Sequence, residues 1–154
     1  MPDIGDKAPN VTLHMPDGSS RAVADYAGKP LVLYFYPKDD TPGCTTEAQA
    51  FTALADEFAA LEVPVVGISK DTPKKHQKFI EKHGLKIALA SDTDDAVCDA
   101  YGTWIEKSLY GRIYMGIERA TFLIAADGTI ARVWHKVKVA GHAAEVLQAV
   151  KALG

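Results

Sequence analysis

Apolar residues recur along this chain in two rhythms, one continuous and one helical. LVLYFY at 31–36 is an unbroken apolar run, rich in β-branched and aromatic residues and bounded by Lys29-Pro30 and by Pro37. That pattern predicts a strand covered on both faces. VPVVGIS at 63–69 reads the same way, and IALAS at 87–91 is a shorter version. Between the first two runs, apolar residues at 48, 51, 54, 55, 58 and 61 return at helical spacing and predict one helix from Cys44 to Glu62. Asp71-Thr72-Pro73 opens a further helix with a capping side chain and a proline in the first turn, and Gly84 closes it. A short helix is expected from about Asp92 to Tyr101, ended by Gly102, and a last one from about Gly141 to Leu153.

Two stretches carry hairpin signals instead. VTLH and RAV flank Asp17-Gly18, and ATFLIAADGTIARVWH at 120–135 folds about Asp127-Gly128. The segment GTWIEKSLYGRIYMGIER at 102–119 matches neither rhythm. It is expected to be a long irregular connection, the kind of loop that often carries function, with Trp104, Tyr110, Tyr114 and Met115 as a satellite core beneath it. The order of elements predicts an α/β fold: a central mixed β-sheet with helices on both faces and an N-terminal hairpin. The parallel βαβ portion and the late antiparallel hairpin resemble a thioredoxin-like fold. With no repeat, low-complexity tract or linker, residues 1–154 are expected to form a single domain.

Composition narrows the function classes. The chain has 154 residues, a net charge of −3 and two cysteines. A mild acidic balance without a basic stripe argues against a nucleic-acid partner. No run approaches the roughly 18 apolar residues of a membrane helix, and MPDIGDKAPNV lacks the basic end and apolar stretch of a signal peptide. Two cysteines make no disulfide framework, so a reducing, cytoplasmic location is expected. No exposed apolar edge is legible, and a monomer is expected, with a weak dimer as the alternative.

One cysteine stands where chemistry is favoured. Cys44 follows the carboxyl end of the 31–36 strand, at the start of a helix, with Thr41 three residues before and Glu47 three after. Helix amino termini carry unpaired N–H groups and partial positive charge, which favour thiolate over thiol. Pro37 and Pro42 restrict the loop backbone, and the free amides near Gly43 and Cys44 suit a small anionic oxygen. Against this, free cysteines are frequently small buried hydrophobes. Asp39, Asp40 and Glu47 would also oppose a thiolate if they faced it, and Lys38 is the only local cation.

PKDDTPGCTTE contains the proline-x-x-x-threonine-x-x-cysteine pattern of peroxiredoxins, carried by Pro37, Thr41 and Cys44. YFYPKDDTPGCTTEA, GDKAPNVTL, ASDTDDAVCDAYGTW and GIERATFLIAADGTI together resemble the peroxiredoxin Q branch, also called the bacterioferritin comigratory protein branch, over nearly the whole chain. The resemblance implies a peroxidatic Cys44 that attacks the O–O bond of a peroxide substrate and becomes a sulfenic acid. It implies a Thr41 that hydrogen-bonds sulfur and substrate oxygen, a Pro37 that shields the centre from water, and an Arg119 that supplies the missing cation. Glu47 matches a family position too and would orient Arg119; the alternative is a first-turn acid serving the helix dipole. The aromatics of 102–119 would then be an alternative apolar rim for organic hydroperoxides or for a reductant.

The resolving cysteine of many relatives is absent: Gln49 and Ile80 stand at its two usual places. Cys98 is expected on the flank of its helix, beside a stripe of Ala96, Val97, Ala100 and Tyr101, and as packing in preference to a resolving thiol. A one-cysteine mechanism follows, with thioredoxin or another small thiol as reductant and antioxidant defence as the role. A disulfide oxidoreductase would need a CxxC that GCTTE lacks; a redox-responsive binding module without efficient turnover is the alternative from another class. His76 and His83 are expected on a solvated helix face, and His135 and His142 have no metal-ligand spacing. No GxGxxG or P-loop is present, so no metal or cofactor is expected.

Overall fold

A computed structural model describes residues 1–153; Gly154, the last residue of the expected domain, lies outside the described residues. Strands β1 (Thr12–His14) and β2 (Ser20–Ala22) form the first hairpin. They are followed by a 3-10 turn, then β3 (Leu31–Phe35), α1 (Pro42–Ala53), α2 (Ala55–Ala60), β4 (Val65–Ser69) and α3 (Pro73–His83). Next come β5 (Ala88–Ser91), α4 (Ala96–Tyr101), β6 (Trp104–Leu109), β7 (Arg112–Ile117), β8 (Ala120–Ile124), β9 (Ile130–Trp134) and α5 (His142–Ala152). Seven strands make one mixed sheet in the order β2-β1-β5-β4-β3-β8-β9. Helices alternate with the strands of this mixed sheet and a hairpin opens it, the α/β arrangement that the order of elements led one to expect.

β3 lies at the centre, parallel to β4 and antiparallel to β8, and all five of its residues are buried. Strand alternation splits it between two cores. Val32 and Tyr34, with Tyr36 beyond the strand, face Cys44, Ala48, Phe51, Phe58, Phe79 and Val146. Leu31, Leu33 and Phe35 face Val97, Cys98, Tyr101, Ile117 and Phe122. The sheet therefore stands between the two cysteines. Both Asp-Gly turns form as expected, with Gly18 and Gly128 each at φ +87°, a backbone that glycine takes without a Cβ clash.

Several expectations are corrected. The helix from Cys44 to Glu62 is two helices: the chain tightens at Leu54, whose N–H bonds to the Phe51 carbonyl three residues back. Phe58 then reaches the core with its ring 6.1 Å from that of Phe51. The supposed irregular connection 102–119 contains the β6–β7 hairpin, turned by Tyr110 (φ 50°) and Gly111 (φ 77°) as a two-residue turn with both φ positive. Its aromatics are no satellite core, for Tyr110 is 96% exposed, and Leu109, Ile113, Tyr114 and Met115 are also exposed. An exposed apolar surface is thus present where none was legible. Cys98 lies inside the core at 0% exposure, not on its flank, whereas Ala96 is exposed.

Candidate active site

The site forms where β3 ends. Because β8 runs antiparallel to β3, Phe35 pairs with Ala120, so the residue just before β8 meets the loop just after β3. That register brings Arg119 to Cys44 across 75 residues of chain. Its carbonyl accepts the Val137 N–H at 2.9 Å, which fixes the backbone there.

Cys44 is the third residue of α1 and is 2% exposed. The first bond of that helix runs from the Thr45 N–H to the Thr41 carbonyl at 2.8 Å, so the Gly43 and Cys44 amides precede the ladder. Arg119 Nη2 donates to the sulfur at 3.4 Å, and Nη1 donates to Glu47 Oε1 at 2.7 Å. Gly43 has a physical reason to be glycine: a Cβ there would lie 3.3 Å from Arg119 Nη2. The guanidinium rests across its backbone.

Thr41 occupies the N-cap position, yet its hydroxyl makes no capping bond and donates instead to the Lys38 carbonyl at 2.8 Å. Its oxygen lone pairs are left to accept. No hydrogen bond joins it to the sulfur among the described residues. Pro37 is exposed at the start of the loop, and so is Lys38.

The acidic residues of the loop do not face the sulfur as rivals. Asp39 is buried and accepts from the Tyr36 hydroxyl at 2.5 Å, with His76 Nδ1 2.7 Å from its other oxygen. The Asp39 N–H donates to Asp71 at 2.8 Å. Asp40, at φ 59°, pairs with Lys82 at 2.7 Å and with His83 Nε2 at 2.9 Å; these bonds hold its carboxyl below the usual range. His76 is therefore no solvated residue: it is 0% exposed, and its Nε2 lies 3.0 Å from the Ala90 carbonyl. Its two ring nitrogens pull one buried stripe out of an otherwise lysine-rich helix. Asp39 and Asp40, through His76, Lys82 and His83, fasten the cysteine loop to α3, a role that spacing alone did not reveal.

Two buried groups give the fold opposed pH responses. Burial pushes the Glu47 carboxyl up to about 7, against the pull of Arg119. Burial pushes the His142 imidazole down to about 4; its Nε2 lies 2.8 Å from the Thr121 hydroxyl. As pH falls below about 6.5, unfolded His142 takes up a proton that the folded chain refuses until about 4, so stability is lost through that window. Glu47 does the reverse, the folded chain taking its proton near 7 and the unfolded chain only near 4.5, so stability is gained as pH falls. Each contributes on the order of 2 kcal/mol after allowance for solvent screening, and they nearly cancel. Glu47→Gln is expected to be less stable at pH 5 than at pH 7, and His142→Gln more stable, in urea unfolding at the two pH values. Parallel shifts in the two variants would refute the opposition.

Cys98 lies on the opposite face of the sheet from Cys44. Burial, with Asp92 beside it, pushes its thiol up to about 12, and Asp92 accepts the Cys98 N–H at 2.9 Å. No cluster of His, Cys, Asp and Glu able to hold a metal occurs among the described residues, and no helix of the described residues is long and apolar enough to cross a membrane.

Comparison with known proteins gives a consistent set of similarities. The profile of the AhpC/TSA family matches residues 4–133. Peroxiredoxin Bcp of Bacillus subtilis is 47% identical over 149 residues, covering 97% of this chain and 95% of its own. Peroxiredoxin Bcp of Escherichia coli is 43% identical over 147 residues, covering 96% and 94%. Among solved structures, the bacterioferritin comigratory protein of Xanthomonas campestris, described for its alkyl peroxide reduction activity, superposes with a TM-score of 0.90 at 43% identity, covering 97% of this chain and 98% of that one. A cysteine-to-serine mutant of PrxQ from Xylella fastidiosa gives 0.93 at 40% identity, covering 99% and 97%.

Proposed function

The chain belongs to the AhpC/TSA family, in its peroxiredoxin Bcp branch, and from that premise we propose a thiol peroxidase in which Cys44 reduces hydrogen peroxide and organic hydroperoxides to water and alcohols. The observation that carries this reading is the Arg119 guanidinium, 3.4 Å from the sulfur on one arm and 2.7 Å from Glu47 on the other. A guanidinium is always charged and holds its two donors in a fixed fork, so it favours the thiolate and can meet a peroxide oxygen as charge develops. The free amides at the start of α1 add partial positive charge on the same sulfur. Thr41 has an accepting lone pair for the peroxide O–H, which would aim the near oxygen at sulfur. Pro37 would cover the loop at the mouth.

Cys44 would leave the first step as sulfenic acid. Resolution by Cys98 is disfavoured by the sheet between the two residues, so a one-cysteine cycle is proposed, with an external thiol attacking the sulfenic acid through a mixed disulfide. Thioredoxin is the proposed donor, in a cytoplasmic, monomeric enzyme of antioxidant defence. Coupled turnover with thioredoxin, thioredoxin reductase and reduced nicotinamide tests this: a peroxidase cycles, whereas a redox-responsive module stops after one equivalent of peroxide.

Glu47 is assigned the orientation of Arg119. Glu47→Gln keeps one acceptor for Nη1, and Glu47→Ala keeps none. With hydrogen peroxide, kcat/KM is expected to fall about threefold in the first and about tenfold in the second, each step being about one hydrogen bond in size. Wild-type rates in both would leave Glu47 as a first-turn acid serving the helix dipole alone.

A further inference from the structure

His76 is buried in α3 with both ring nitrogens engaged, and their partners fix where the ring protons are. Nε2 lies 3.0 Å from the Ala90 carbonyl, a group that only accepts, so Nε2 carries a hydrogen. Nδ1 lies 2.7 Å from Asp39 Oδ2. The other Asp39 oxygen accepts from the Tyr36 hydroxyl at 2.5 Å. Burial, with Tyr34 and Asp39 beside it, pushes that phenol above its ordinary value, so it stays a donor. A carboxylate offers no hydrogen to Nδ1, and the 2.7 Å contact therefore needs a second ring proton. The ring is an imidazolium facing a carboxylate.

The surrounding charges require that proton. Asp71, just past β4, is buried and accepts the Asp39 N–H at 2.8 Å and the Ser69 hydroxyl at 2.7 Å. Two carboxylates thus meet at one residue. Asp92, just past β5, is turned to the Val97 and Cys98 amides, with Lys70 against it. Lys38, Lys75 and Lys78 are exposed and rim a cleft over Asp39 and Asp71, and Lys74 is exposed too. Among the described residues of this cluster, His76 supplies the buried cation. A single peptide unit carries its hold to the active site. The N–H of the Lys38–Asp39 peptide is held by Asp71, and its carbonyl accepts the Thr41 hydroxyl at 2.8 Å. Turning this peptide turns the Thr41 hydroxyl with it.

We propose that His76 is a positioning residue of the peroxidase reaction: its imidazolium clamps Asp39, and so sets the Lys38–Asp39 peptide and the Thr41 hydroxyl that receives the peroxide O–H. Removal of the Nδ1 proton leaves a ring lone pair against Asp39 Oδ2 and two buried carboxylates without a counter-ion. The loop then lets go of α3 at Asp39, and Thr41 loses its aim. Asp40, tied to Lys82 and His83, confines the release to that peptide. Activity is gated by a proton that the reaction itself does not consume. This rests on the peroxidase reading above.

Asp39→Asn is the discriminating variant, because an asparagine amide donates to the bare Nδ1 of a neutral ring while its oxygen keeps the Tyr36 bond. The proton–nitrogen NMR spectrum of the wild-type ring near neutral pH is expected to show both His76 nitrogens protonated, and that of Asp39→Asn only Nε2. From about pH 6 to about pH 10, the ratio of wild-type to Asp39→Asn kcat/KM with hydrogen peroxide should fall about tenfold. Titration of Cys44 and His83 is common to both proteins and cancels. His76→Met should lose about tenfold or more at every pH, but less than about twofold in a Thr41→Val background, since the effect passes through Thr41. Should His76→Met fail to fold, the spectrum and the ratio still decide. A bare Nδ1 in wild type, a level ratio, or a full His76→Met loss without the Thr41 hydroxyl would overturn the assignment while leaving the peroxidase intact. A wild-type protein with both nitrogens protonated that consumes no peroxide would sink the peroxidase reading, and the positioning role with it, but not the clamp.

Discussion

Serine at position 44 is expected to bring peroxide turnover down to background, a loss on the order of 10⁴-fold or more, while serine at 98 leaves it within about twofold. The first result follows from the atom: a hydroxyl at the head of α1 is a far weaker acid than a thiol, and the same guanidinium cannot hold it as an anion at neutral pH. The second follows from the sheet. Cys44 packs with Ala48 and Phe51 on one face, and Cys98 packs with Val97 and Tyr101 on the other. A bond between them needs Cα atoms within about 7 Å, which demands disruption of the core. Cys98→Ser places a hydroxyl in that core and costs about 1–3 kcal/mol, so Cys98→Ala serves as the companion variant. Peroxide-treated protein examined without reductant should carry sulfenic or higher oxides on Cys44 and no intrachain disulfide. A stoichiometric Cys44–Cys98 bond would replace the proposed one-cysteine cycle with a two-cysteine one.

Much of this arrangement was legible because it rests on local signals. The β3 run, the Thr72 cap with Pro73, the Gly84 stop and both Asp-Gly turns each lie within a few residues of their cause. The head of α1 is of the same kind. The failures have a common origin in burial that depends on distant partners. β6 and β7 expose both faces for most of their length, so no alternation of apolar and polar residues marks them as strands. His76 sits among Lys74, Lys75 and Lys78 and reads as solvated until Asp39 and the Ala90 carbonyl are brought to its two nitrogens. Cys98 reads as a flank because a six-residue helix has little room to show which side faces inward. Arg119 could not be chosen over Arg112 or Arg132 by spacing. Its place follows from the antiparallel pairing of β3 with β8, a long-range fact that only family resemblance anticipated.

Loss of the Arg119 guanidinium is the other large expected effect. Its two arms do different work: Nη2 donates to sulfur, and Nη1 anchors the group on Glu47, which is 1% exposed. The arginine side chain itself is 18% exposed, so water screens the contact only partly. Arg119→Met removes both arms and leaves a buried carboxyl without its counter-ion. Without this donor the developing charge loses its preorganised partner, and kcat/KM for hydrogen peroxide is expected to fall about 10²–10³-fold. Arg119→Lys keeps the charge, but a single ammonium on a flexible stem cannot reach sulfur and Glu47 in the same fork. It should recover part of the loss and remain about tenfold or more below wild type. Alkylation of Cys44 by iodoacetamide at fixed pH separates the two contributions, since it reports sulfur reactivity without a peroxide. A rate that falls in Arg119→Met and is largely restored in Arg119→Lys shows that charge sustains the thiolate, while the remaining peroxidase deficit in Arg119→Lys measures the geometry of the fork. If Arg119→Met alkylates and reduces peroxide at wild-type rates, the guanidinium beside the sulfur is packing alone, and the helix-end amides must hold the anion without it.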